Sequence, residues 1–381
     1  MKTKIQEQFK KLYGEGATLF ASPGRVNLIG EHTDYNLGFV LPGAIDKAIY
    51  VAIKPNDGKN CRIHSLDYNE SIEMDMHGEK PAQQWACYIY GVIQEMEKRG
   101  GLVHPFDMVF GGDVPLGAGL SSSAALESAV GFAINSIFNL NFDRAQLAKI
   151  GQMTEHNYVG VRCGIMDQFA SLFGEAGKVI RLDCRSLDYK LEPFDPKGCR
   201  VVLFDTQVKH TLASSEYNVR RAQCEAGVAV ILKHVGGIES LRDVTMDMLN
   251  TYKDEMDPIV YRRCSYVINE NNRLLEACAA LEKGDYVTFG QKMNGSHEGL
   301  SKWYEVSCEE LDFLAEIGHR TDGVLGARMM GGGFGGCTIN LVKTEAYDNY
   351  VAEISDKFQH KFGKAPRIIE VNISQGAHRI E

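Results

Sequence analysis

The chain has 381 residues, 44% of them hydrophobic, and carries 41 Lys and Arg against 50 Asp and Glu for a formal net charge of −9. That length suits two domains with a substantial core, and the negative balance opposes polyanion binding through bulk electrostatics, so no nucleic-acid partner is expected. Ten cysteines occur without a Cys-x-x-Cys pair and no His-Glu-x-x-His occurs, which excludes a zinc motif and a disulfide framework.

The first thirteen residues set Ile5, Phe9, Leu12 and Tyr13 on one helical face with charge between them, a pattern unlike a signal peptide. No apolar run approaches the ~20 residues of a bilayer span, so a cytoplasmic protein without membrane contact is expected. Next comes Ser22-Pro-Gly-Arg-Val-Asn-Leu-Ile-Gly-Glu-His-Thr-Asp-Tyr-Asn36, where an apolar run lies between dense polar clusters. Carboxylates accept from hydroxyls, so Glu31 and Asp34, with His32 beside them, form a candidate polyol site. The alternative is a solvated loop in which Arg25 pairs with Glu31 or Asp34. A transition-metal site is weaker, since one His among acids is not a ligand set.

Strands are expected at 48–54 and 106–110 and helices at 84–98 and 121–138. The second helix follows Pro115-Leu-Gly-Ala-Gly-Leu-Ser-Ser-Ser-Ala-Ala125, a glycine turn delivering three serines into a helix start. Converging N–H groups and the positive end of a helix dipole make such a junction a phosphate cradle. An ordinary serine N-cap is the plainer alternative, but one serine would satisfy it. A Walker A loop is excluded, because no lysine is followed by Ser or Thr in the required context.

A helix-like stretch covers 143–158, and two prolines with a glycine in 191–198 mark a linker, giving domains 1–195 and 196–381. Beyond it a strand is expected at 200–204, helices at 214–234, 257–281 and up to Gly299, then strand, helix and strand at 337–342, 345–362 and 367–373. Gly331-Gly-Gly-Phe-Gly-Gly336 spells a dinucleotide fingerprint, yet a strand rather than a helix follows, so dinucleotide binding is set aside.

With these segments in view, Gly24-Arg-Val-Asn-Leu-Ile-Gly-Glu-His-Thr-Asp-Tyr-Asn36 resembles the galactokinase signature. The serine-rich loop is similar to the ATP loop of the wider GHMP kinases, and Gly331–Cys337 to their third, C-terminal motif. The resemblance implies an α+β, two-domain fold, with an N-terminal domain like domain 2 of ribosomal protein S5, a ferredoxin-like C-terminal domain, and the site between them. It implies ATP- and Mg²⁺-dependent phosphorylation of the anomeric hydroxyl of α-D-galactose. Asp167 then matches the family's base and Arg25 its active-site arginine. Glu31, His32, Thr33, Asp34, Gly164 and Tyr217 fall at sugar positions. Gly117, Ala118, Gly119, Leu120, Ser121, Ser122 and Ser123 form the nucleotide loop, with Ser65 and Trp85 as weaker nucleotide candidates that packing alone could explain. Ser123 and Glu155 match the metal ligands, although Glu155 by itself reads as a commonplace exposed helix acid.

Arg162 and Leu37 depart from the family pattern and bear on sugar preference. The rival readings are a sister kinase for N-acetylgalactosamine or L-arabinose, and a non-catalytic galactose and ATP sensor, whose serine-rich loop would be damaged whereas this one is intact. No protein partner is inferable, and a monomer is compatible with the sequence.

Overall fold

The computed structural model describes residues 1–208 and 213–380. The first half runs α1 (Lys2–Tyr13), β1 (Thr18–Asn27), β2 (Phe39–Val40), β3 (Pro42–Pro55), β4 (Cys61–Ser65), β5 (Glu70–Met74), α2 (Gln84–Glu97), β6 (Phe106–Gly112), α3 (Ser122–Ile137), α4 (Arg144–Thr154), α5 (Met166–Phe173), β7 (Lys178–Asp183) and β8 (Tyr189–Pro193). The second half runs β9 (Cys199–Asp205), α6 (Ala213–Leu232), α7 (Met246–Thr251), α8 (Pro258–Glu282), α9 (Tyr286–Glu298), α10 (Glu309–Arg320), β10 (Val324–Met329), β11 (Cys337–Lys343), α11 (Tyr347–Phe362), β12 (Arg367–Glu370) and β13 (His378–Ile380).

The larger sheet has the order β13-β1-β3-β6-β4-β5, antiparallel except for the β4–β6 pair. β1 is buried almost throughout because it is covered on both faces. Ile5 and Phe9 of α1 close over Leu19, Ala52 and Val109, while α3 and α5 pack on the other side. Its sequence accordingly shows no in-out alternation, and its polar residues Ser22, Arg25 and Asn27 are buried along with the apolar ones. At Gly24 the register of β1 against β3 slips, and a Cβ there would stand 2.6 Å from the Leu120 carbonyl. The glycine lets the serine-rich loop lie on the strand, and the bulge re-aims the next side chain, Arg25.

The second sheet has the order β10-β11-β9-β12 with every neighbour antiparallel, which in strand sequence is the 4-1-3-2 order of a ferredoxin-like βαββαβ unit. The mixed α+β architecture is the one expected. Local signals start the helices where expected: Asp143 and Gln146 make a reciprocal capping box on α4, and Asp257 caps α8 ahead of Pro258. β9 opens the second sheet just after the proline-rich stretch. The division is crossed in several places: β13 returns to pair with β1, and second-half residues such as Leu274, Cys278, Phe289 and Met330 share one buried cluster with the first half. Among the described residues no helix is long and apolar enough to cross a membrane.

Candidate active site

Arg25 is buried at the bulge of β1 and reaches Asp167 in the first turn of α5 with both ends of its fork: Nε donates to Oδ1 at 2.7 Å and Nη2 to Oδ2 at 2.9 Å. Its Nη1 donates to the Gly119 carbonyl at 2.6 Å. The solvated-loop reading paired Arg25 with Glu31 or Asp34; the bidentate partner is Asp167, because the bulge turns the guanidinium toward α5. Burial disfavours the charged guanidinium, but Asp167, Glu31 and Asp34 together hold its pKa above the ordinary value. Ser121, in the left-handed region with φ 58°, spends its hydroxyl on Asp167 and does not cap α3. The first N–H groups of α3 therefore remain free of any side-chain cap.

The turn after β1 supplies the next group. Glu31 is buried, its Oε1 accepting from Arg328 Nη2 at 2.9 Å and from the Gly331 N–H at 2.8 Å. His32 Nε2 meets the Gly332 carbonyl at 3.2 Å, and a carbonyl can only accept, so the proton sits on Nε2 and Nδ1 accepts from the Tyr35 hydroxyl at 2.8 Å. Burial lowers the His32 pKa to about 3, so the ring is neutral. Burial first, and the neighbouring Asp167 charge second, push the Asp34 pKa up to about 7. A Cβ at Gly164 would collide with the Asp34 carboxylate, so only glycine permits that approach. Tyr217 of α6 packs its ring against His32 and Tyr35.

Arg25, Glu31, His32, Asp34, Gly164, Asp167 and Tyr217 line one cavity of about 240 Å³, closed from the C-terminal half by Gly331 and Gly332. Thr33, expected among the sugar contacts, is not in its wall: its buried hydroxyl meets the Gly30 carbonyl at 2.9 Å and that of Phe39 at 2.5 Å, and so holds the turn. Arg162 turns outward to Glu225 at 2.9 Å, leaving its neighbours Val161 and Cys163 on the rim. Leu37 adopts φ 56° where the turn ends.

A second cavity, of about 400 Å³, is walled by Trp85, Tyr88, Phe110, Leu116, Gly117, Ser122 and Ser123, with Asp67 and Tyr68 at its mouth. Trp85 is nearly buried, donates Nε1–H to Glu70 at 2.9 Å and still contributes to the wall, so packing and lining coexist there. Ala118 and Leu120 send their side chains into the core, leaving only backbone to a ligand. Ser65 is fully buried at the end of β4, where its hydroxyl receives the Tyr68 N–H at 3.4 Å; it does not reach the cavity.

The two cavities meet at Tyr88 and Ser123. Glu155 lines the first beside Ser123. It is buried, so the plainer alternative of an exposed helix acid does not hold; α4 gives way there to a π-helical turn over Glu155–Val159. Burial raises its pKa to about 7, with the Ser123 hydroxyl opposing that rise. Oε1 of the nearby buried Glu127 has no hydrogen-bond partner. A buried carboxylate beside a serine hydroxyl, with no cation against it, fits a hard divalent ion that takes its other ligands from phosphate and water. Tyr88 and Arg328 were not read from the sequence. Tyr88 follows Trp85 by one helical turn on the same face, a signal that was available; Arg328 has none.

Comparison with known proteins bears on the whole chain. Residues 7–55 match the profile described as the galactokinase galactose-binding signature, 87–175 that of the GHMP kinases N-terminal domain, and 277–362 that of the GHMP kinases C-terminal domain. The chain is 43% identical over 363 residues to a galactokinase of Chloroflexus aggregans, covering 94% of this chain and 93% of that one. It is 40% identical over 385 residues to that of Clostridium beijerinckii, covering 99% and 98%. The crystal structure of Lactococcus lactis galactokinase complexed with galactose superposes with a TM-score of 0.96 at 34% identity over 100% of both chains. A mevalonate kinase of Methanococcus jannaschii shares the fold at a TM-score of 0.68 and 19% identity, covering 94% and 99%. A bulged strand, a serine-rich helix start and a C-terminal glycine turn thus meet around one cleft in a chain that, by full-length similarity, belongs to the galactokinase family of the GHMP kinases.

Proposed function

We propose that the protein transfers the γ-phosphoryl group of ATP to the anomeric hydroxyl of α-D-galactose, giving galactose 1-phosphate and ADP in the cytoplasm. The observation that carries this reading is the seam between the two cavities, where Asp167 and Arg25 face Ser123, Glu155 and the uncapped start of α3. Sugar occupies the cavity of Glu31, Asp34 and Tyr217, and ATP lies along the loop 117–123 with its base near Trp85 and Tyr88. Ser123 and Glu155 hold Mg²⁺, which when bound neutralises charge on the phosphates.

Phosphoryl transfer passes through a loose transition state, so alignment and charge neutralisation supply most of the rate. Arg25 contributes fixed positive charge without reorganising, since its fork is already locked. Asp167 orients the anomeric hydroxyl and receives its proton at a carboxylate oxygen; Ser121 and Arg25 keep that carboxylate aimed. His32, neutral and engaged at both nitrogens, supports the wall and carries no proton. The ten cysteines are all free, and burial is the leading cause of raised thiol pKa values at Cys61, Cys184, Cys224, Cys264, Cys278 and Cys337, which suits a reducing compartment.

An ADP-release assay across galactose, glucose, N-acetylgalactosamine and L-arabinose tests the assignment. Galactose should exceed glucose in kcat/KM by roughly tenfold to a hundredfold for each buried hydrogen bond that the wrong epimer cannot make. A preference for N-acetylgalactosamine or L-arabinose would reassign the substrate, and galactose binding without any turnover would make the protein a sensor.

A further inference from the structure

Arg328 lies on β10 and is completely buried, 0% exposed, yet it is absent from the wall of either cavity. A buried guanidinium needs a partner for each donor, and its partners here come almost entirely from the other half of the chain. Nε donates to the Leu28 carbonyl at 2.9 Å and Nη2 to the Asn27 carbonyl at 2.5 Å, both at the end of β1. Nη1 donates to the Met329 carbonyl at 2.8 Å. The remaining bond, from Nη2 to Glu31 Oε1 at 2.9 Å, reaches a residue that does line the sugar cavity.

The Gly331 N–H adds a second donor to the same oxygen, at 2.8 Å. Two donors saturate one carboxylate oxygen, so Oε1 has nothing further to offer. Among the described residues no donor engages Oε2. The Tyr266 hydroxyl on the Glu31 carbonyl at 3.0 Å, and Glu270 Oε1 receiving the Gly30 N–H at 3.0 Å, fix the backbone on which the carboxylate stands. Lysine could not replace this arrangement, because an ammonium has three donors at one point, whereas the guanidinium fork serves the carbonyls of Asn27, Leu28 and Met329 and the Glu31 carboxylate.

We propose that Arg328 is a positioning residue for sugar discrimination: with the Gly331 N–H it saturates Oε1 of Glu31, so that Oε2 alone is presented to one hydroxyl of the sugar. This rests on the reading that galactose occupies the cavity lined by Glu31. The test is steady-state kinetics of wild type and Arg328→Lys on galactose and its 2-, 3-, 4- and 6-deoxy forms, with thermal melting of both. Wild type should pay heavily for the loss of one particular hydroxyl. Arg328→Lys should raise the galactose KM ~10–100-fold, the worth of a charged hydrogen bond, and should erase most of the penalty at that same hydroxyl. The KM for ATP should stay near that of wild type.

A purely structural role would lower the melting temperature while leaving the deoxy-sugar ranking intact, and that result overturns the proposal. Absence of galactose turnover in wild type would instead overturn the functional reading beneath it. Should the Lys variant not fold, a crystal structure of wild type with galactose decides. Oε1 must remain between Arg328 and Gly331 with Oε2 on a single sugar hydroxyl, and any structure in which both oxygens, or neither, meet the sugar refutes it.

Discussion

The two cavities differ in who builds them. The sugar cavity takes its walls from both halves of the chain, and its polar groups are tied in place before any ligand arrives: Arg25 to Asp167, Glu31 to Arg328, His32 to Gly332. The other cavity is walled by residues 49–126 alone, with Leu116 and Tyr68 exposed at its edge and a helix start that no side chain caps. On the proposed reading, one side presents prealigned polar groups to the sugar hydroxyls and the other offers the uncapped N–H groups of α3 to a nucleotide phosphate. Sugar discrimination would then depend on the halves being joined, whereas the phosphate grip would be local to the first half.

The sharpest way to break the comparison is at the carboxylate in the first cavity that is proposed to meet the transferred group. Asp167→Asn keeps shape and one acceptor but loses proton affinity, so turnover should fall ~10²–10⁴-fold with galactose binding by calorimetry retained. Turnover within a few-fold of wild type would remove Asp167 from the chemistry. Next, Glu155→Ala should cost on the order of 10²-fold in Mg²⁺-dependent turnover while leaving galactose affinity unchanged, since it acts at the phosphate. Equal loss of galactose affinity in a folded variant would mean that the two sides are not separable.

A third prediction concerns stability. Folding raises the Asp34 pKa to about 7 from the usual 3.8, so between those values the folded chain holds a proton that the unfolded chain releases. Its contribution is fully present below about pH 4 and is lost as pH rises to about 7. Melting curves of ligand-free protein should show Asp34→Asn gaining on wild type across that window, by on the order of a few kcal/mol. A pH-independent gap would show that burial does not hold that proton. The smallest effect is expected at Trp85→Phe, which keeps an aromatic face but is smaller than the indole and loses its N–H bond to Glu70. The KM for ATP should rise by only a few-fold, with that for galactose unmoved. A matching rise for galactose would place Trp85 in support of both cavities.

Much of this was legible because it is local. The caps at Asp143 and Asp257, the glycine-to-serine junction and the strand after Gly336 each announce themselves within a few residues. The hairpin of β4 and β5 was not read, since short edge segments such as 70–74 carry weak alternation and little burial. The burial of Glu155 was not legible, because helical periodicity does not foresee a π-turn. Thr33 and Ser65 carried the right chemistry for a site but lie where backbone groups needed it more. Arg328 was beyond reach: a buried ion pair with a partner at Glu31 leaves no mark on the residues adjacent to either.

The return of β13 to β1 gives the molecule a schedule. Leu19, Phe20 and Ala21 have β3 on one side early, but their other edge waits for His378–Ile380, about 360 residues later, which at ribosomal speeds of ~5–20 residues per second is a delay of roughly 20–70 s. Throughout that interval these three apolar residues lack a partner on one edge, which another chain could pair with. The same strand that aims Arg25 is thus one whose outer edge, at Leu19–Ala21, is completed only when the last strand has been made.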